Sequence, residues 1–496
     1  MINRLIYGVH RVLGTLLSVF FLMWFLTGIV MIYHGFPSAS NAEKMQTLDV
    51  LQADLQPFDT ILTSVSEPDS VSSMAVYSYL GRTYYEVGQS SVIKKIADDG
   101  QPLPEIDGNY IRQAAAKWCS APIIRIDTLQ KLEQWIPFGS RKNDLPIYKF
   151  HFADSDKTQV YVSSKTGNIL QCTTEMERFW GWLSAVPHWV YFTWLRQDVE
   201  LWHEVIVWIG VFGMFMLVAG FYIGIRNYRL QVKRGKGLTS PYKKKWYKWH
   251  HVFGTLFGLF AFTWVLSGVY SLEDVPEWLG RVKKQYEPRK MLSQGMLERN
   301  AYRLDYRDVI AAYKDKTLRI DWSSFHDIPL YQVYLKGQNS PVMIDASTAG
   351  KTAEVNLTKE QVERAVKAVH GDEPLQVELM TEYDNYYVDT EGTMALPVWK
   401  VRVENADQTV YYVNPQTAAY RGYNTHARWQ FQLYQGFHCL RYKVFVGHPI
   451  LWTIVMWVLL LGGAAVSLTG VVMGVNYLRR QFRKIRTRIS RIETDS

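Results

Sequence analysis

Two histidines stand at the start of two long apolar segments whose sequences match. His10 precedes the apolar segment Val12–Tyr33, and His250 precedes the segment Val252–Leu272, 240 positions later. The match continues inside the segments, where Trp24, Thr27 and Gly28 correspond to Trp264, Ser267 and Gly268. An ionisable side chain at the edge of a membrane is costly unless a partner satisfies it. The repeat therefore points to a site that two histidines build together.

Histidine is concentrated at the ends of the apolar segments. Eight of the twelve histidines lie there, and the other four, which we interpret as ordinary surface or strand residues, are His151, His326, His370 and His426. A second pair follows the repeat at an offset of 250 residues, because His188 corresponds to His438. The remaining four break the repeat or compete with a paired residue, and we keep them as alternatives: His34, His203, His448 and His251.

Haem fits this arrangement better than zinc or a proton relay. A b-type haem needs two neutral imidazoles across a flat apolar slot, and it needs no CxxCH motif, which the sequence lacks. We predict that His10 and His250 bind one haem and that His188 and His438 bind a second. His10 and His34 are 24 residues apart, about 36 Å of helix, so one haem cannot serve both faces. The outer histidines could instead be interfacial residues in a belt of tryptophan and tyrosine.

Small and basic residues accompany the inner histidines. Gly14 and Gly254 lie one helical turn after His10 and His250, on the same helix face. Such glycines either leave room for a haem or let helices pack closely, and the sequence leaves both open. The residues next to the paired histidines, Arg11 and His251, correspond in the repeat and are placed to meet haem propionates or lipid headgroups.

Four apolar segments are long enough to cross a bilayer, which takes about 20 residues of helix. They are Val12–Tyr33, Val205–Ile225, Val252–Leu272 and Ile450–Val475, and none contains Asp, Glu, Lys or Arg. The short segments 1–11, 226–251 and 476–496 hold 18 Lys and Arg but only two acidic residues. The positive-inside rule places these segments and both termini in the cytoplasm. The net charge of +9 therefore reflects membrane orientation and does not indicate nucleic-acid binding.

The two long segments between the spans repeat each other as well. In each segment a short helix precedes a β-hairpin, and a further strand pair lies ahead of the helix. The predicted elements of the first segment are Met74–Val87, Tyr110–Trp118, Ile147–Phe152 and Gln159–Val162, and those of the second are Tyr331–Ile344, Lys359–Val369, Val398–Val403 and Val410–Val413. The fold class is therefore an α-helical four-span bundle with two extracytoplasmic α+β domains and an internal two-fold duplication.

The predicted boundaries follow from these patterns. Residues 1–35 form transmembrane helix 1, 179–226 an interfacial segment and helix 2, 250–273 helix 3, and 429–476 an interfacial segment and helix 4. Residues 36–178 and 274–428 form the two outer domains, and the basic segments 227–249 and 477–496 form a cytoplasmic loop and tail.

The order of these features resembles the PepSY-associated transmembrane family. The matching residues are a strand pair around Ser164-Lys-Thr-Gly167, then Arg178-Phe-Trp, then His188 before an apolar span, together with the helix opening His10-Arg-x-x-Gly-Thr-Leu. The family is bacterial and often iron-regulated, and some members are similar to ferric-siderophore reductases that hold haem between their helices. The resemblance implies PepSY-like outer domains in a periplasm, a bacterial inner membrane, and a ferric chelate as electron acceptor.

The histidine pattern thus predicts a membrane protein that passes electrons outward through two b-type haems. The resemblance implies that it is an inner-membrane oxidoreductase whose acceptor is a ferric chelate, such as a siderophore. No flavin or nicotinamide motif is present, so quinol or a separate cytoplasmic reductase must supply the electrons. The alternative is a non-enzymatic PepSY envelope protein that binds or regulates a peptidase or other periplasmic partner. A transporter is disfavoured because no span is polar or broken at its midplane. All of these functions would place the chain in contact with membrane lipid.

The three cysteines are too few for a disulfide framework. Cys119 and Cys172 both lie in the first outer segment, where an oxidising compartment would allow them to pair. Cys439 would then remain unpaired, and no spacing typical of a zinc site is present.

Overall fold

A computed structural model describes residues 2–63, 71–89, 92–274, 276, 292 and 295–495 of the 496-residue chain. The described chain has two parts, a group of four long helices and a group of three antiparallel sheets.

Four helices are long and apolar enough to cross a membrane. They are Ile2–Met31, Val199–Lys233, Lys245–Val269 and Pro449–Asp495, hereafter the first to fourth spans. All four predicted segments are confirmed as helices, but the helices extend into the polar flanks. Hydropathy marks only the apolar part of a helix, whereas backbone hydrogen bonding continues until a breaker or cap ends it. The second span begins at such a cap, where the Asp198 side chain accepts from the Leu201 amide.

The four spans form a bundle in which the first and third lie diagonally opposite. Each of these two packs against both the second and the fourth span. The second span ends beside the start of the first, since the Tyr222 hydroxyl donates to Asn3 Oδ1 at 3.2 Å. We call this end of the bundle the terminal end, and the opposite end, which leads into the sheets, the sheet end. Phe21, Phe25 and Trp264 are buried in the bundle core.

Fourteen strands are described between the spans. Those between the first and second spans are β1 Val71–Tyr79, β2 Arg82–Gln89, β3 Val92–Ala97, β4 Ile123–Leu129, β5 Ile147–Phe152, β6 Gln159–Ser163 and β7 Ile169–Thr173. Those between the third and fourth spans are β8 Thr317–Phe325, β9 Ile328–Leu335, β10 Val342–Asp345, β11 Leu375–Met380, β12 Val398–Val403, β13 Val410–Val413 and β14 Tyr420–Tyr423.

Two of the three sheets have the same organisation. Their strand orders are β4-β5-β6-β7 and β11-β12-β13-β14. One amphipathic helix packs on each sheet, Gly108–Trp118 on the first and Lys359–His370 on the second, through alanine and branched aliphatic residues. Both predicted hairpins and both predicted helices are confirmed, because their apolar residues follow the strand or helix period.

The third sheet joins the two outer segments. Its order is β10-β9-β8-β1-β2-β3, and β1 from residues 36–178 pairs antiparallel with β8 from residues 274–428. The sequence predicts two separate domains for these segments, whereas the structure gives them a common sheet. Each contributes three strands here, so the predicted strand pairs miss β3 and β8. Pairing between distant strands has no local signal, although the alternation of Thr317–Phe325 does indicate a strand.

Short helices complete the described chain. The α-helices are Asn41–Gln46, Phe58–Thr63, Glu175–Leu183, Ala185–His188, Thr193–Arg196, Tyr306–Ala312 and Thr425–Phe431, the 3₁₀ helices are Gly139–Asp144, Arg299–Ala301 and Lys443–Phe445, and a π-helical stretch covers Gln432–His438. Ala185–His188 and Gln432–His438 lie between a sheet and a span, and each ends in a histidine of the predicted outer pair.

All three cysteines are free thiols. Cys119 and Cys172 pack against the same core, beneath the sheet β4–β7. Burial and the nearby Glu177 carboxylate raise the pKa of the Cys172 thiol to about 12. A thiol with a raised pKa is a poor nucleophile, so Cys172 acts as a small apolar residue in this structure.

A charged cluster crosses the junction between the two outer segments. The Arg319 guanidinium on β8 lies 3.1 Å from Glu86 Oε2 on β2 and 2.6 Å from Asp321 Oδ1. The Tyr77 hydroxyl on β1 donates to Glu86 at 2.9 Å, and Arg319 lies over the Tyr77 ring. One arginine therefore links three neighbouring strands that come from both segments.

Replacement of that arginine tests the junction. We expect Arg319→Met to lower the free energy of unfolding by about 2 kcal/mol, because it leaves two partly buried carboxylates without their cation. Differential scanning calorimetry of the detergent-solubilised chain measures the effect. Arg402→Met is the matched control, since its pair with Glu378 is about half exposed on both sides. Equal losses of unfolding free energy in Arg319→Met and Arg402→Met would contradict a stabilising role of Arg319 at the junction.

Candidate functional site

The two predicted histidine pairs both meet in the structure. The rings of His10 and His250, on the diagonally opposite first and third spans, have centres 6.0 Å apart with an interplanar angle of 41°. The rings of His188 and His438, at the sheet end, have centres 6.4 Å apart with an interplanar angle of 72°. The bundle therefore brings together two imidazole pairs at opposite ends.

Hydrogen bonds to other helices hold the rings of the terminal-end pair. His10 Nδ1–H donates to the backbone oxygen of Met216 on the second span, at 2.9 Å. His250 Nδ1–H donates to the backbone oxygen of Val466 on the fourth span at 3.2 Å and to Thr469 Oγ1 at 2.9 Å. A carbonyl oxygen can only accept, so Nδ1 carries the proton in both rings. The Nε2 lone pair is then left for another ligand.

The sheet-end pair is held in the same manner. His188 Nδ1–H donates to the backbone oxygen of Trp24 and to Thr27 Oγ1, both at 3.1 Å and both on the first span. His438 Nδ1 lies 3.1 Å from Ser267 Oγ on the third span, and because the Ser267 hydroxyl donates to the backbone oxygen of Trp264, Nδ1–H is the donor. Nε2 is again the nitrogen left for a ligand. An imidazole whose other nitrogen is bonded to a carbonyl or hydroxyl is typical of histidines that bind metals.

A cavity of about 850 Å³ opens between the spans at the terminal end. Both His10 and His250 line it, together with eight glycines. A Cβ atom added at Gly254 would meet no atom within 4 Å, so this glycine faces open space. A Cβ at Gly14 would lie 3.7 Å from the sulfur of Met216, an ordinary contact. Of the two roles that the sequence leaves open, the structure therefore favours clearance for Gly254.

One glycine makes room for a histidine ring itself. A Cβ at Gly220 would lie 2.5 Å from His10 Cε1, whereas one at Gly470 would make an ordinary contact with His250 Cε1 at 3.6 Å. At the sheet end, a Cβ at Gly28 would lie 3.4 Å from His188 Cε1. The close approach of Gly220 to His10 depends on packing between two helices and has no local signal in the sequence.

Basic and aromatic residues surround the mouth of the cavity. Arg4 and Arg11 line it, and Arg11 lies over the ring of Tyr477 at 5.2 Å. His251 is engaged with the protein instead: Nδ1 lies 3.0 Å from Ser240 Oγ and Nε2 lies 3.1 Å from the backbone oxygen of Gly224. Both of its ring nitrogens are thus used, which leaves Arg11 as the better placed partner for a carboxylate.

The alternative outer histidines lie apart from the pair. His34 stacks on Trp180, with ring centres 4.5 Å apart. His203 Nε2 lies 3.3 Å from Glu273 Oε1, and His448 is exposed. The structure therefore supplies no facing imidazole for these residues among the contacts described.

The two pairs are separated along the bundle axis. Thr27, which contacts His188, is 17 residues after His10 in one continuous helix, a rise of about 25 Å. This is less than the length estimated from His34, because the outer pair lies inside the end of the first span.

No protein-family model matches the chain, and no curated protein sequence matches it. The resemblance to the PepSY-associated transmembrane family therefore remains a prediction from the motifs. Among the described residues, no group of three or more His, Cys, Asp or Glu side chains is placed to hold a metal ion. The candidate ligands are thus the four imidazoles of the two pairs.

Two glycine variants test how tightly the terminal-end site is built. We expect Gly220→Ala to lower the free energy of unfolding by about 1–3 kcal/mol, because the new methyl group overlaps a ring that is tied to Met216. Gly254→Ala, at the same cavity, should leave stability nearly unchanged because its methyl group enters open space. Thermal unfolding in detergent compares the two variants. A larger loss of stability in Gly254→Ala than in Gly220→Ala would contradict the close contact of Gly220 with His10 and the open space at Gly254.

Proposed function

We propose that the chain is a membrane oxidoreductase that binds two b-type haems, one at each histidine pair, and carries electrons from the terminal end to the sheet end. The observation that carries this proposal is the geometry of the four imidazoles. They form two close pairs, and in each ring Nδ1 is hydrogen-bonded to another element while Nε2 remains available.

The ring separations fit a shared metal ion. Two metal–imidazole bonds of about 2 Å each, with each ring centre roughly 1 Å beyond its nitrogen, place the ring centres roughly 6 Å apart. The separations of 6.0 and 6.4 Å agree with that value. The residues that would hold the groups are His10 with His250 and His188 with His438. Haem bound in this way supplies reversible one-electron transfer.

The protein's own residues support this binding. The glycine-lined cavity at the terminal end offers volume within the range of cofactor pockets. Arg4 and Arg11 provide cations at its mouth, where a carboxylate-bearing cofactor would reach the membrane surface. The hydrogen bonds from Nδ1 to Met216 and Val466 orient the rings before any ligand binds.

We also infer that the chain is an internal duplication. The residues that accept from His10 and His250, Met216 and Val466, are 250 positions apart. The indole of Trp202 donates to the backbone oxygen of Trp189, and that of Trp452 donates to the same atom of Cys439, again 250 positions later. Equivalent residues thus make equivalent contacts, as a fold built from two related halves requires.

The orientation and location are part of the proposal. The basic segments 226–251 and 476–496 adjoin the terminal end, so the positive-inside rule places that end in the cytoplasm. The sheets then lie in the periplasm of a bacterium whose inner membrane holds the spans. An acceptor would meet the chain beside the sheet-end pair, and quinol or a cytoplasmic reductase would donate at the terminal end.

A ferric chelate, such as a siderophore, is the acceptor that we propose. The family resemblance points to it, and the chemistry is consistent: one electron converts ferric to ferrous iron, which hard oxygen donors bind more weakly. The chelate is then released from its metal without cleavage of a covalent bond. The two outer sheets would shape the surface at which the chelate docks.

Absorption spectroscopy tests the cofactor proposal. The chain purified from haem-replete cells should contain two haems with b-type reduced spectra. His10→Ala or His250→Ala should remove one, and His188→Ala or His438→Ala the other, because each site loses an axial ligand. His448→Ala is the control that should keep both, since His448 is exposed and lies outside both pairs. A colourless wild-type protein would refute the proposal and favour a non-enzymatic envelope protein that binds a peptidase.

Single-turnover kinetics test the acceptor. We expect the dithionite-reduced chain in nanodiscs to be reoxidised by a ferric hydroxamate chelate, with ferrous iron appearing in a colorimetric trap. His188→Ala should abolish most of this reaction, since it removes a ligand at the end where the chelate docks. The redox-inert gallium chelate is the control and should leave the spectrum unchanged. Oxidation by ferric chelate at the same rate in His188→Ala would rule out a route through the sheet-end pair.

A further inference from the structure

The space between the two histidine pairs is filled by aromatic rings in a specific order. Phe21 and Phe25, both on the first span, line the terminal-end cavity. The Phe21 ring stacks on Trp24 with centres 5.7 Å apart, and the Phe25 ring contacts Trp264 at the same distance. Phe21, Phe25 and Trp264 are all less than 10% exposed. Each phenylalanine therefore lines the cavity and also contacts a tryptophan.

Each tryptophan is in turn connected to a histidine of the sheet-end pair. The backbone oxygen of Trp24 accepts a hydrogen bond from His188 Nδ1 at 3.1 Å. On the third span the connection passes through Ser267, whose hydroxyl donates to the backbone oxygen of Trp264 at 2.9 Å and lies 3.1 Å from His438 Nδ1. The two tryptophans correspond in the sequence repeat. A series of contacts thus runs from the cavity to each histidine: phenylalanine, tryptophan, backbone carbonyl and imidazole, with the Ser267 hydroxyl before the imidazole of His438.

The neighbouring helices make room for these rings. A Cβ at Gly213 would lie 2.5 Å from Phe21 Cζ, and a Cβ at Gly463 would lie 2.5 Å from Phe25 Cε1. These glycines are 250 positions apart and stand on the second and fourth spans. Any side chain there would displace the phenylalanine. Both neighbouring spans therefore lack a side chain at the point where an aromatic ring enters the gap between the pairs.

We propose that the Phe21–Trp24 and Phe25–Trp264 pairs are the tunnelling route by which electrons cross between the two proposed haem sites. This rests on the proposed function, because it presupposes a redox group at each histidine pair. Electron tunnelling weakens steeply with distance and weakens further across empty space, so closely packed atoms with polarisable π-systems favour it. The rings are neither oxidised nor reduced overall: an electron from quinol or a reductase enters at one pair and leaves at the other toward the ferric chelate.

Time-resolved spectroscopy of the full chain in nanodiscs tests the route. The two haems are first counted by absorption, and their potentials are measured by redox titration. The rate of electron redistribution between them is then followed after a short pulse of a photoreductant. We expect the double variant Phe21→Leu/Phe25→Leu to keep both haems and both potentials but to redistribute electrons several-fold more slowly, because it removes one ring from each series.

Matched variants separate the route from simple packing. Phe257→Leu is the control, since Phe257 fills a notch at Gly462 as Phe25 does at Gly463 but stands outside both series. It should leave the rate unchanged. Trp24→Leu/Trp264→Leu should be as slow as the phenylalanine double variant, whereas Trp264→Phe, which keeps a ring, should be close to wild type. If one leucine double variant fails to bind haem, the electron redistribution rate of the other double variant tests the route.

The outcomes also distinguish this proposal from the one on which it rests. A wild-type chain without haem overturns the proposed function. Two bound haems with an unchanged rate in a leucine double variant overturn the aromatic route and leave the proposed function intact. A slowing equal to that of Phe257→Leu likewise overturns the route, because general loosening of the core would explain it.

Discussion

The structure depends on one kind of interaction, the hydrogen bond from histidine Nδ1 to an oxygen on a neighbouring helix. An imidazole buried in an apolar bundle loses its hydration, and an unpaired ring nitrogen there is costly. The partners Met216 and Val466 satisfy one nitrogen with backbone oxygens, which carry no charge and cannot titrate. The same bond fixes the ring rotation and the tautomer. The first and third spans thereby hold the rings of His10 and His250 with their centres 6.0 Å apart.

These hydrogen bonds explain where glycine lies in the bundle. A ring that must reach a carbonyl on the adjacent helix needs that helix to approach closely, and a side chain at Gly220 would prevent it. Glycine weakens an isolated helix by about 1 kcal/mol relative to alanine, but the long spans tolerate that loss. Because glycine has no side chain, the Phe21 ring fits against Gly213, and the cavity stays open at Gly254. One residue type thus serves three different purposes within a single bundle.

The sequence predicts the helices and the partners of the histidine pairs because both depend on period and repeat. His250, and not His251, faces His10 because it occupies the matching position, and His188 faces His438 for the same reason. The acceptors of Nδ1 are beyond prediction since every residue has a carbonyl oxygen and only the helix contacts select one. The pairing of β1 with β8 cannot be predicted for a similar reason. About 240 residues separate the two strands, and neither sequence contains a local signal that identifies its partner.

The six-stranded sheet has a consequence for how the two halves of the chain are joined. The β1–β8 ladder ties the segment that follows the first span to the segment that follows the third, and these two spans carry His10 and His250. Separation of the two outer segments would require this ladder to shear and Arg319 to leave Glu86. The halves of the chain are therefore joined twice, by helix packing in the bundle and by backbone hydrogen bonds in the sheet.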